Sequence, residues 1–386
     1  MAIRWRILAA LTLARVTMAL AFQSVAALAP PMMAEAGLGW GRVGLLIGAF
    51  MAPGIVAALA GGWLGQRFGA GRVAVAGLLV MGASGLVMAA VAGFPALLAA
   101  RLGVGVGAVA LNVMLTKMAA DWFPGRDLPT AMGVLSSSWP LGIALALVAL
   151  PGLGEVFGWR ATLAATAATG LLAAAMLAAA WRAPPGAPPP ALPKGGLTGR
   201  EAGLTLLAGT VWGLYNAALV SVLAFGADLL TARGRDGAAA AAEVSAVSWA
   251  CLATIAAGGW VAARSGRPAL VTALSLGLTT AALLALATAQ TGPATPALLI
   301  LAGLAFGPAA GPILALTAEM SRVEVRALAT GVFFALYYAI FGGGPALAGW
   351  LREATGAPAA PILAAAAMLA AALPLYALFR RARKPV

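Results

Sequence analysis

The chain has 386 residues, 62% of them hydrophobic and 9% charged, against roughly 25% charged in a soluble domain. Its formal net charge is +13, but the basic residues fall singly or in pairs between apolar runs, which argues against an extended face for nucleic acid. There is no histidine, and Cys251 stands alone, so an internal disulfide and a Cys/His metal cluster are excluded.

Apolar stretches of about 20 residues, the length that crosses a bilayer core as a helix, recur along the whole chain, so a cleaved signal peptide does not account for them. The first span covers 7–29 and holds Arg15 about eight residues in, roughly 12 Å along the helix. Met18, Phe22 and Gln23 follow on the same face. The second span, 41–64, runs into GGWLGQRFGAGR, Gly61 to Arg72. A third covers 72–92, and a fourth, 94–118, holds Arg101, Gly105, Gly107 and Asn112. The fifth and sixth are 128–150, with Trp139-Pro140, and 158–181. The stretch 182–202, rich in Pro and Gly, reads as a cytoplasmic linker. It divides an N-terminal six-helix bundle, 1–181, from a C-terminal one, 203–386.

The seventh span, 203–229, carries Trp212, Tyr215 and Asn216 in WGLYN, and the eighth, 240–262, runs into GGWVAARSGR, Gly258 to Arg267. The ninth is 268–289. The tenth, 295–317, contains GPAAGP with Pro308 and Pro312, and the eleventh, 327–350, contains Tyr337, Tyr338 and GGGP ending at Pro345. The twelfth is 358–379. The expected fold is all-α and integral to the membrane.

Lys and Arg test this division, because cytoplasmic loops hold the basic excess. With the N-terminus inside, five of the 24 fall outside (Arg42, Arg160, Arg233, Arg235 and Arg352), Arg15 and Arg101 lie within spans, and the other 17 are cytoplasmic. Both termini are then expected on the cytoplasmic side of the plasma membrane. The two GGW segments add a repeat. Trp63 pairs with Trp260, Arg67 with Arg264 and Gly69 with Gly266 at an offset of 197, while Gly105 with Gly303 and Gly133 with Gly331 fit 198. Parallel halves of this kind are a transporter architecture.

On these residues the chain resembles the major facilitator superfamily. That family's loop signature, roughly G-x-L-A-D-R-x-G-R, is matched by Gly62, Leu64, Arg67, Gly69 and Arg72, and its fourth-span pattern by Arg101, Gly105 and Gly107. The signature's acid is Gln66 in the first copy and Ala263 in the second, so the usual cytoplasmic charge network lacks its acidic member. The resemblance implies gating roles for Gly62, Gln66, Arg67, Gly69, Arg72, Arg101, Gly105, Arg264 and Gly266. It also implies a central cavity lined by the first, fourth, seventh and tenth spans, which favours Arg15, Phe22, Gln23, Asn112, Trp212, Tyr215 and Asn216 as substrate contacts, with Tyr337 and Tyr338 beside them. Pro308, Pro312 and Pro345 are expected hinges, since each removes a backbone donor.

An ionisable residue within a span points to function, and a buried cation most simply meets an anion. Plain alternatives are that Arg15 snorkels to the headgroups and that Asn112 serves helix packing. All eleven acids fall in loops or near span ends, which leaves no mid-membrane proton relay unless Asp228, Glu243 or Glu319 lies deeper. The expected function is secondary transport by alternating access, with a small organic anion, a carboxylate, moved by facilitated diffusion or exchange. Competing readings are proton-coupled export of apolar drugs or metabolites and a receptor without flux. A membrane enzyme has neither base nor metal ligands to work with. No cofactor is expected, and the partners are the substrate and the lipid bilayer, with the protein a monomer.

Overall fold

A computed structural model describes residues 2–58, 67–123, 128–182, 196–289, 292 and 294–383. Among these, twelve helices are long and apolar enough to cross a membrane, numbered here as spans 1 to 12: Ile3–Ala27, Trp40–Ala58, Ala70–Ala90, Phe94–Trp122, Ala131–Phe157, Trp159–Ala180, Gly199–Ala232, Gly237–Ala262, Pro268–Thr288, Ala294–Ala318, Leu328–Thr355 and Ala360–Arg383. Helices are what such apolar runs must become, because hydrocarbon offers backbone N–H and C=O groups no partner but each other. No strand occurs among the described residues.

Most boundaries match the sequence reading, and the differences have local causes. Span 7 starts at Gly199 rather than 203, because Thr198 and Glu201 form a capping box: each side chain accepts from the other residue's backbone N–H, at 3.3 and 2.9 Å. Span 10 is interrupted where GPAAGP falls, passing from α-helix Ala294–Phe306 through a 3-10 turn at Gly307–Ala309. Span 11 runs unbroken through Pro345. Span 2 turns at residues 50–53.

The chain forms two compact units, Met1–Leu38 with Ala49–Ala191, and Gly39–Gly48 with Leu192–Val386. Within the first, span 1 packs along spans 5 and 6, and span 3 along spans 4 and 6. Within the second, span 7 packs along 11 and 12, and span 9 along 10 and 12. The neighbours are the same once the repeat offset is applied.

Paired glycines show why. A Cβ on Gly105 of span 4 would strike the Phe50 carbonyl, and one on its mate Gly303 would strike the Val247 carbonyl, 197 residues after Phe50. A side chain at either position would force the crossing apart. Elsewhere one contact is made with different chemistry. Gly77 and Gly107 bring the backbones of spans 3 and 4 together; 198 residues on, the Ser275 hydroxyl donates to the Ala305 carbonyl.

The sequence places all of 1–181 in one bundle, whereas residues 39–48 pack in the second unit. There, Cβ atoms on Gly44 and Gly48 would strike the Pro345 and Gly342 carbonyls, and one on Gly349 the Trp40 carbonyl. The Gly41 N–H donates to Glu353 Oε2 at 2.6 Å.

Candidate functional site

Arg15 is the thirteenth of the 25 residues of span 1, at its midpoint. This is deeper than the sequence placed it, because the helix begins earlier. Its side chain is half-buried, and Nη1 donates to the Leu135 carbonyl of span 5 at 3.1 Å. Asn112 is also half-buried, while Gln23 is 1% exposed. Phe22 is packed in the unit's interior, its ring 5.2 Å from both Phe50 and Trp139. It enters the polar chemistry through its carbonyl. Arg101, 1% exposed, donates from Nη1 to the Ala21 carbonyl and from Nη2 to the Phe22 carbonyl, both at 2.7 Å, and its guanidinium lies 4.8 Å from the Phe50 ring centre. A planar fork suits two successive carbonyls, so Arg101 ties span 4 to span 1 about two turns beyond Arg15.

The second unit carries an aromatic run. The Tyr215 ring stacks on Phe306 at 3.9 Å and on Trp212 at 5.5 Å, and Trp212 meets Tyr337 at 6.1 Å. Tyr337 in turn lies 4.9 Å from Tyr338. Tyr215 and Tyr338 are buried, whereas Trp212, Asn216 and Tyr337 are half-buried. The Tyr215 hydroxyl donates to the Phe306 carbonyl at 2.9 Å, at the point where span 10 leaves regular helix, and Asn216 Nδ2 donates to the Trp212 carbonyl at 2.8 Å.

Of the expected gating residues, Gly62 and Gln66 lie outside the described residues. Arg67 and Arg72 are exposed beside Gly69, whose φ of 84° opens span 3 in a conformation that favours glycine. Arg264 closes the helix of span 8 next to Gly266, whose φ is 64°. Pro308 packs against Gly258, where a Cβ would strike its Cα. Pro312 is buried in the short helix Ala310–Leu314.

Charge networks absent from the sequence reading lie elsewhere in the second unit. The Arg322 backbone and side chain donate to Glu201 at 2.9 to 3.2 Å. That carboxylate, then the nearby Glu324 charge, holds the Arg322 pKa above its usual value. Glu319 pairs with Arg380 at 3.2 Å and Arg383 at 2.7 Å. The pattern Thr198-x-x-Glu201 was the available signal for the first of these.

Arg160, Arg233, Arg235 and Arg352, which the loop-charge reading assigned outside, have acidic or backbone partners. Arg160 pairs with Glu35 at 2.8 Å and donates to the Ala89 and Val91 carbonyls at the end of span 3. Hydrogen bonds from Arg160 and then Trp159 hold the Glu35 carboxyl below its usual range. Arg233 makes the corresponding cap on span 9, donating to the Leu286 and Ala287 carbonyls; burial lowers its pKa. Arg352 pairs with Asp228 at 2.6 Å, and Arg235 with Glu243 at 3.3 Å. Asp228 and Glu243 therefore lie near span ends in ion pairs, and Glu319 lies just past span 10.

A model of the Major Facilitator Superfamily matches residues 11–231. Among curated relatives, the "Hexuronate transporter" of Bacillus subtilis (strain 168) is 26% identical over 131 residues, 34% of this chain and 31% of that protein. "Probable anion transporter 6, chloroplastic" of Arabidopsis thaliana is 28% identical over 131 residues, 34% of this chain and 25% of that protein. The matched stretch thus spans about a third or less of these relatives' length. Two solved structures of a bacterial homolog of the human lysosomal transporter Spinster, both inward-facing, are similar at 19% identity. The unoccupied form gives a TM-score of 0.75, covering 99% of this chain and 98% of that one. The occupied form gives 0.78, with 99% and 97% covered. At that identity the likeness is one of fold.

Proposed function

This chain belongs to the Major Facilitator Superfamily, and from that premise we propose that it is a secondary transporter of a small organic anion, a carboxylate, working by alternating access. The observation that carries the reading is Arg15, a half-buried cation at the midpoint of span 1. A charge at that depth is costly unless it serves a pathway or a ligand, and an Arg fork matches a carboxylate. The names of the two curated relatives, a hexuronate transporter and a probable anion transporter, support the same class.

Facilitated diffusion or exchange suits the residues better than proton coupling. The acids that a proton relay needs at depth, Asp228 and Glu243, are engaged with arginines near span ends, and Glu319 with two more. The orientation with both termini cytoplasmic in the cell membrane belongs to this reading and is supported by the loop-charge bias. So does the monomeric state. Alternating access exposes a bound anion to each side in turn; Arg67, Gly69, Arg72, Arg264 and Gly266 belong to the gating set of this reading, and span 10 changes from α-helix to a 3-10 turn at Gly307–Ala309, which contains Pro308.

The experiment is carboxylate counterflow into proteoliposomes. Wild-type protein exchanges labelled carboxylate, Arg15→Ala abolishes exchange, and Arg15→Lys retains part of it. Intact carboxylate flux in Arg15→Ala sinks the anion reading, and flux of neutral lipophiles alone favours drug export. Ligand binding in detergent with no movement in sealed vesicles favours a receptor.

A further inference from the structure

Span 7 is partly exposed on two opposite faces with unlike chemistry. One face holds Gly203, Leu206, Thr210 and Leu214, the composition of a helix side set against lipid. The other holds Trp212, Asn216 and Leu219, spaced at i, i+4 and i+7. Trp212 is the fourteenth of 34 residues in the span, far from the interfacial belts where lipid-facing Trp collects. A half-buried amide at that depth is costly against hydrocarbon. The Trp212 face therefore suits a polar surrounding better than lipid.

The ring itself is held in place from behind. Phe306, Tyr215 and Trp212 form a continuous stack, with interplanar angles of 22° and 18°. The Tyr215 hydroxyl fixes the stack to the Phe306 carbonyl, and Tyr337 flanks its accessible end. A ring buttressed in this way offers a flat, pre-organised apolar surface, which a second ring face can cover at little ordering cost.

We propose that Trp212, flanked by Tyr337, is a stacking platform that selects substrates bearing a ring: a cyclic or aromatic carboxylate in preference to an open-chain one. The charged half of that substrate rests on the carboxylate reading above; the ring half does not. Trp212 stands 197 residues after Arg15, so the repeat gives one copy of this position a charge and the other a ring.

The test is ligand-induced thermal stabilisation of the purified full chain, converted to Kd, with four acids: cyclohexanecarboxylate against hexanoate, and glucuronate against gluconate. Cyclohexylmethanol serves as a neutral ring. In wild type the ring-bearing acid of each pair binds about three- to tenfold more tightly than its open-chain counterpart. Trp212→Leu brings that ratio close to one, Trp212→Phe keeps most of it, and Tyr337→Leu reduces it partway. A merely structural role for Trp212 weakens both members of a pair alike and overturns the inference. So does a wild-type ratio near one, and so does failure of every ring-bearing probe to stabilise the protein. If carboxylates bind regardless of rings, the anion reading survives and the platform falls. If cyclohexylmethanol alone binds, and Trp212→Leu abolishes it, the platform survives and the anion reading falls.

Discussion

Replacing Arg101 by Met removes a guanidinium that holds two carbonyls, those of Ala21 and Phe22, at 2.7 Å. Hydrogen bonds from a charged donor contribute about 1.5–3 kcal/mol each, and a desolvated cation over a ring such as Phe50 about 2 kcal/mol. Removing the cation also removes its desolvation cost, which cancels much of that sum. Both carbonyls keep their own helical partners. The net loss is then about 3 kcal/mol, or roughly 6–12 °C in Tm for a unit of this size. Tryptophan fluorescence during heating in mild detergent reads the shift. Arg101→Lys restores charge without the planar fork and recovers less than half of the loss. A Met variant within about 2 °C of wild type, or full rescue by Lys, refutes the view that the fork tying spans 1 and 4 is what Arg101 provides.

The Glu35 carboxyl is held below its usual range by Arg160 and Trp159. A depressed folded value stabilises the protein above the unfolded pKa and is lost as pH falls through the folded one. The Tm gap between wild type and Glu35→Gln is therefore largest above about pH 5 and closes on acidification; a gap independent of pH contradicts this. Gly48→Ala pushes a methyl group into the Gly342 carbonyl and is expected to destabilise by about 1–3 kcal/mol, whereas Gly152→Ala, with open space around it, serves as the thermal-melt control. Tyr215→Phe keeps the rings but loses the hydrogen bond that anchors the stack to the Phe306 carbonyl, so the stability read from its thermal melt falls by about 1 kcal/mol.

What could be read from the chain before folding depended on whether the signal was local. A span announces itself in any 20-residue window because hydrocarbon imposes the same demand on every segment, and the twelve were legible with edges off by a few residues. That Arg15 lies inside span 1 was legible for the same reason, although the structure sets it deeper, at the midpoint. The role of Arg101 was not, since its acceptors are backbone carbonyls about 80 positions away, and every residue type carries a carbonyl. Phe22 shares a helical face with Arg15, yet Phe50 and Trp139 claim its ring. The networks at Glu201, Glu319 and Glu35 follow the same rule, since each acid could be counted in the sequence but its partner is chosen by packing.

By itself, then, the sequence determined the all-helical membrane fold, the duplicated six-helix plan and the rarity of charge at depth, because composition and period act segment by segment. Tertiary structure decided which repeat mates share a contact, as Gly105 and Gly303 do, and which diverge, as Gly107 and Ala305 do. It also decided that residues 39–48 pack with span 11 and that Trp212 is the accessible end of a stack begun at Phe306. Those outcomes turn on clearances of a single methyl group and on the direction of single hydrogen bonds between distant segments, and neither leaves a trace in the order of residues along one helix.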